Sequence, residues 1–324
     1  MLVIINSLTR VPDPRGGRLS RTLPWSHRLA LPAIAAPMTA VSGLELTIAA
    51  CRSGVIGAFP THNAPDSEAL DGWLGQLGRA LTTDEAPFAA NLVVHRSNDR
   101  RTSDLDCLVR HGVELVITSV GSPAPVIETL HAIGTHVYAD VASLDHAWRA
   151  MDAGADGLVL LTAGAGGQTG WANPFAFVRA IRERYDGPVV LAGGISDGCA
   201  VYAAEVLGAD LAYLGTRFIA THESAAPDDY RRAVVASTLD DVRLSSRIGG
   251  IPASLLASWL DGSSEGEPQS TGFAQDRLLA NQTAWSAGHS VSGIHEIASV
   301  GAVVSTLADD YRRARSCHGK VIND

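Results

Sequence analysis

The sequence predicts an α/β protein built as a (β/α)8 TIM barrel, with a helical insertion after the eighth strand. Three observations predict it. Short apolar runs suited to buried parallel strands recur eight times between residues 33 and 214. The segments between them carry helical periodicity with start and stop signals. A Gly-Ala-Asp phrase leads into an apolar run at 154–156 and again at 208–210, with a looser copy at 112–114, as repeated helix-to-strand turns would.

In chain order the runs are 33–36 (AIAA), 55–58 (VIGA), 88–94 (FAANLVV), 114–118 (ELVIT), 136–140 (HVYAD), 157–161 (GLVLL), 188–192 (PVVLA) and 211–214 (LAYL). Ser143 is placed to cap LDHAWRAMDA and Gly154 to stop it, while Asn173 and Pro174 open FAFVRAIRERY. This repeated strand–helix unit fits a closed barrel better than an open sheet. Residues 222–282 then hold YRRAVVAST and IPASLLASWL, both read as helical, followed by the polar linker SSEGEPQSTG. The expected division is a barrel of residues 1–221 and 283–324, closed by the helix of IHEIASVGAVVSTLADDYRRA, and a helical lid of 222–282.

At 324 residues and 46% hydrophobic, the chain can bury a full core. No apolar stretch reaches the roughly 18 residues that span a bilayer, and the opening MLVIINSL is too short for a secretion signal and lacks a basic leader, so a cytoplasmic location is expected. Cys51, Cys107, Cys199 and Cys317 are scattered, which indicates neither a metal site nor a disulfide framework; reduced, mostly buried thiols are expected. A net charge of −9 without an Lys/Arg stripe argues against nucleic acid and anionic membrane as partners and for a small molecule, and it is compatible with a homo-oligomer. Lys320 is the only lysine, which excludes Schiff-base chemistry on an internal lysine and a P-loop.

Barrel active sites lie where strands end, with phosphate commonly held after the seventh and eighth. Here those strands run into Gly193-Gly194-Ile195-Ser196-Asp197 and Gly215-Thr216-Arg217-Phe218. Backbone N–H groups at such turns, with the Thr216 hydroxyl, bind an anion without lysine. The sixth strand leads into LTAGAGGQTGW, whose glycines at 164, 166, 167 and 170 do not fit the G-x-G-x-x-G dinucleotide fingerprint. The next helix also starts too late to serve that loop, which argues against a Rossmann site.

PAIAAPM at 32–38, AANL at 89–92, the glycine loop, LAGGI at 191–195, LGTRF at 214–218 and WSAGHSVSGI near the end together resemble the nitronate monooxygenase (2-nitropropane dioxygenase) family. The resemblance implies an FMN-bound (β/α)8 barrel that oxidises alkyl nitronates with oxygen. It implies that Ala36, Pro37, Met38 and Asn91 face the flavin, that Gly166 and Gly167 lie near it, and that Gly193, Gly194, Gly215 and Thr216 hold its phosphate. The glycine loop would then give FMN and substrate bare backbone to lie against.

One position departs. The family's loop reads A-G-G-H, its histidine the catalytic base, whereas this chain has Gln168, whose amide cannot take up a proton near neutral pH. His62 and His95 follow the second and third strands and His289 lies in the last loop, so each is a candidate replacement. Asp140 ends the fifth strand, where it could orient a partner or be a paired structural carboxylate. His136 opens that strand and belongs at the opposite end.

The first functional reading is therefore an FMN-dependent oxidoreductase of nitronate monooxygenase type, with Gln168 positioning the substrate. The second is an NAD(P)H-dependent flavin reductase of an enone, enoyl thioester or quinone, in which hydride transfer depends on stacking more than on a base. A non-catalytic FMN-binding or ligand-sensing barrel and a flavin-free barrel for a phosphorylated substrate are the alternatives outside that chemistry.

Overall fold

The computed structural model describes residues 23–262 and 272–321; MLVIINSL and all of SSEGEPQSTG except Gly272 lie outside them. The strands are β1 (Ala33–Ala35), β2 (Ile56–Pro60), β3 (Phe88–Val93), β4 (Leu115–Ser119), β5 (His136–Val141), β6 (Gly157–Leu161), β7 (Gly167–Gln168), β8 (Val189–Ala192), β9 (Leu211–Leu214), β10 (Val242–Ser245) and β11 (Ala253–Leu256). The barrel closes in the order β1-β2-β3-β4-β5-β6-β8-β9, every pairing parallel, with β9 returning to β1. Each of the eight expected runs contributes one barrel strand.

The repeated Gly-Ala-Asp turn has a single physical basis. Gly154 and Gly208 end their helices at φ +95° and +126°, which favours glycine. The following aspartate then ties the incoming strand to its neighbour. Asp156 donates its N–H to Val137 O and accepts from Val137 N on Oδ2, both at 2.8 Å. Asp210 does the same with Val189, at 2.7 and 2.8 Å. The looser copy does not repeat this: Glu114 O accepts from His136 N of the following strand at 2.9 Å, and its carboxylate turns to Arg28 and Trp25.

Helices cover the outside of the barrel. Ser143 accepts from His146 N and Asn173 from Phe175 N, so both expected caps form. The final helix is Val300–Val321, which begins after the IHEIAS part of the expected segment and runs past its end at Ala314. Its first N–H is taken by the Glu223 carboxylate, and Ala298 just before it is held in a bridge to Thr221. That helix seats against Gly198 so closely that a Cβ there would lie 2.2 Å from Leu307 O. Of the cysteines, Cys51 and Cys107 are buried, but Cys199 and Cys317 are exposed.

The segment after β9 is not wholly helical. YRRAVVAST contributes to the helix Asp228–Ala236, but IPASLLASWL is split between β11 and the short helix Ala257–Gly262. β10 and β11 form an antiparallel hairpin, and β11 pairs on its other side with β7, placing Ala253 opposite Gln168 and Ser254 opposite Gly167. Four consecutive buried residues read equally well as strand or helix. Gly249, Gly250 and Pro252 immediately upstream disfavour helix, and strand pairing on both edges satisfies the buried backbone.

Candidate active site

Strand alternation builds the floor of the site. Ala89, Ile117, Tyr138, Val159, Val190 and Leu211 pack together inside the barrel. Two residues further along each strand, the same inward direction belongs to Asn91, Ser119, Asp140, Leu161, Ala192 and Tyr213. All six line one cavity at the C-terminal mouth of the barrel. Its walls come from Ala36, Pro37 and Met38 after β1, from the glycine loop after β6, and from the turns after β8 and β9. Ile248, Leu278 and Asn281 of the inserted segment close over it.

Every cofactor-binding residue expected from the sequence lines this cavity: Ala36, Pro37, Met38, Asn91, Gly166, Gly167, Gly193, Gly194, Gly215 and Thr216. The two glycines after β8 serve different ends. A Cβ on Gly193 would lie 2.4 Å from Thr162 Oγ1, whereas one on Gly194 would meet nothing within 4 Å. Gly194 also sits at φ +70°. Thr216 Oγ1 accepts from Gly288 N at 2.9 Å, leaving its proton to donate. The helix Gly198–Leu207, in contrast, is closed by its own Asp197, which accepts from Ala200 N.

The glycine loop is shaped first by another stretch of the chain. A Cβ on Gly164 would lie 2.9 Å from His289 Nδ1, one on Gly166 2.8 Å from Gly288 N, and one on Gly170 2.2 Å from Leu161 O. His289 N in turn donates to Gly164 O at 2.9 Å. The expectation of a loop bared mainly toward a ligand is therefore corrected. Its glycines at 164 and 166 nest against residues 287–289, and the remaining face lines the cavity.

Of the four candidate catalytic residues, the structure brings two to the cavity. Gln168 lines it, with Nε2 enclosed and without a hydrogen-bond partner. His62 lines it too, only 9% exposed, with Nε2 2.9 Å from Thr39 Oγ1 and Nδ1 enclosed and unpartnered. Burial, helped by the positive charge of Arg100, pushes the His62 ring down to about 4, so it is neutral at pH 7 and a poor base. His95 is outside the cavity lining, bonded to Ser97 Oγ at 2.8 Å and packed edge-on against Phe273. His289 is exposed and backs Gly164.

His62 also predicts a pH dependence of stability. Its folded value lies below the unfolded one, so the unfolded chain binds the extra proton first, and stability is lost as pH falls from about 6.5 toward 4. His62→Gln should flatten the thermal-melting midpoint over that window while leaving the midpoint at pH 8 within a few degrees of the parent. A curve identical to the parent's would show that His62 is not held neutral.

Two further polar groups belong to the site. Asp140 Oδ1 is enclosed without a partner, so Asp140 is not a paired structural carboxylate, and burial pushes its carboxyl up to about 7. The Tyr213 hydroxyl is likewise enclosed and unpartnered, and feels the charge of Asp140. Tyr213 was hidden in the run LAYL, where an aromatic residue reads as core; the parity of β9 is the signal that aims it inward.

A family model described as nitronate monooxygenase matches residues 89–309. A nitronate monooxygenase of Paraburkholderia phytofirmans is 28% identical over 273 residues, covering 70% of this chain and 74% of that protein. An octahydroindene-carboxyl-CoA dehydrogenase of Rhodococcus jostii is 27% identical over 225 residues, covering 69% of this chain but only 62% of its own length. Among solved structures, nitroalkane oxidase from Streptomyces ansochromogenes superposes with a TM-score of 0.79 at 24% identity, covering 90% of this chain and 98% of that one.

Proposed function

This chain belongs to the nitronate monooxygenase family, and from that premise we propose that it is an FMN-dependent oxidoreductase acting on a small organic substrate, an alkyl nitronate or a related compound, with oxygen as acceptor. The observation that carries the reading is the cavity itself, which joins the free space at Gly194 to enclosed polar atoms with no partner in the protein. An unpaired buried polar group costs about 1–3 kcal/mol. His62 Nδ1, Asp140 Oδ1, Gln168 Nε2 and the Tyr213 hydroxyl together make a site that needs a polar ligand.

The residues present fit FMN. Backbone at Gly194 and Gly215 with the Thr216 hydroxyl would hold the phosphate, Ala36 to Met38 and Asn91 would flank the ring, and Gln168 would orient the substrate. Bound there, FMN would supply the acceptor for an electron pair. The test is the cofactor: purified protein should be yellow and release FMN on heating, identified by mass spectrometry. Release of FAD, or of nothing, overturns the reading.

A second reading is favoured by Gln168, which stands where the resemblance implies a base. It is an NAD(P)H-dependent reductase of an enone, enoyl thioester or quinone, and the octahydroindene-carboxyl-CoA dehydrogenase among the relatives supports thioester chemistry. Anaerobic stopped-flow with propionate-3-nitronate, NADH and NADPH in turn separates the two by which compound reduces the flavin.

A further inference from the structure

The polar groups facing the cavity differ in whether they can move a proton. Gln168 is an amide and cannot. His62 is held neutral by burial. Tyr213 and Tyr230 keep their phenolic protons, which burial makes harder to remove. Asp140 is left. It occupies the last inward position of β5, at the cavity floor, with Oδ1 shut in and no cation paired to it among the described residues.

We propose that Asp140 is the residue that exchanges a proton with the substrate, and that the substrate is a carbon acid, with a C–H bond acidified by an adjacent nitro or thioester group. The proposal rests on the functional reading above and extends it to the proton. In one direction the carboxylate takes the proton from carbon, the C–H electron pair moves onto the nitro or carbonyl oxygen, and Asp140 becomes a neutral acid. In the other it returns the proton to carbon. No electrons leave the pair, so this half of the chemistry requires neither oxidant nor reductant.

The surroundings suit that work. The neighbouring strands β4 and β6 present Ser119 and Leu161, and the titratable groups sharing the cavity are Tyr213, Tyr230 and neutral His62. With nothing charged to favour the carboxylate, burial brings the group to about 7, where both protonation states are populated.

The test is deuterium uptake without redox chemistry. Purified holoenzyme, anaerobic and without NAD(P)H, is held in D2O with nitroethane in one arm and butyryl-coenzyme A in the other, and label is read by mass spectrometry. Label is expected next to the nitro or thioester group in at least one arm, at a rate rising with pH through about 7, because the base is the ionised form. Asp140→Asn should slow it about 10²–10⁴-fold with circular dichroism unchanged, and Asp140→Glu, which keeps a carboxyl, should retain exchange with a displaced pH profile.

A second readout needs no substrate. Asp140 holds its proton longer in the folded than in the unfolded chain, so it removes stability as pH climbs from about 4 to about 7, and Asp140→Asn should flatten that decline. No label in either arm with the parent, undiminished label in Asp140→Asn, or an unaltered stability curve overturns the proposal. A colourless parent that still labels its substrate would count against the flavin reading and in favour of Asp140.

Discussion

Gly194→Asp should yield a folded protein without its flavin. At φ +70° the position strains most side chains, but aspartate is among those that tolerate the left-handed region best. A Cβ there meets nothing within 4 Å, so the substitution displaces no part of the protein itself. It does put a carboxylate where the phosphate is proposed to lie. Two like charges about 4 Å apart at an effective dielectric of 20 repel by about 4 kcal/mol, which is on the order of 10³-fold in affinity. Gly193→Ala is the contrasting case, because its Cβ would lie 2.4 Å from Thr162 Oγ1 and would disturb the fold. The ratio of flavin to protein absorbance, with circular dichroism, checks both variants. A well-folded Gly194→Asp protein that is still fully yellow would place the phosphate elsewhere.

The barrel was legible because parallel strands are buried on both faces and so read as unbroken apolar runs. The hairpin of β10 and β11 was not, since four apolar residues carry no period that separates strand from helix. The glycine loop shows a different limit. Glycines announce a close approach but not what approaches, and the partner of Gly164 and Gly166 is a segment more than a hundred residues away in sequence.

The candidate bases divide for a related reason. Side-chain parity is reliable only while the strand lasts. Asp140 lies inside His136–Val141, so its inward direction follows from Tyr138 two residues earlier. His95 lies beyond Val93, the last residue of β3, where Asn98 Nδ2 donates to Val93 O and the chain has already turned away. His289 starts a 3-10 turn, where parity has no meaning.

Gln168→His should raise turnover of nitroethane, by less than the about 10²–10⁴-fold that a positioned base is worth where no other acts, because Asp140 already serves in the parent. The backbone at 168 is fixed by its place opposite Ala253 in the β7–β11 pairing, so the new ring should start from the same point as the amide. Space exists beside it, because Gly249 leaves its own Cβ position 3.3 Å from Gln168 Nε2 empty. The gain should follow a single ionisation near about 6.5, the ordinary value for histidine. If Asp140 handles the proton in the parent, the two substitutions are not additive. Gln168→His should then restore the deuterium exchange lost in Asp140→Asn, and its relative gain should be larger in that background than in the parent. Equal gains in both backgrounds would mean that Asp140 and residue 168 act on different protons. Unchanged nitroethane turnover in Gln168→His, beside fast flavin reduction by NAD(P)H in the parent, would remove the monooxygenase reading and leave the reductase in its place.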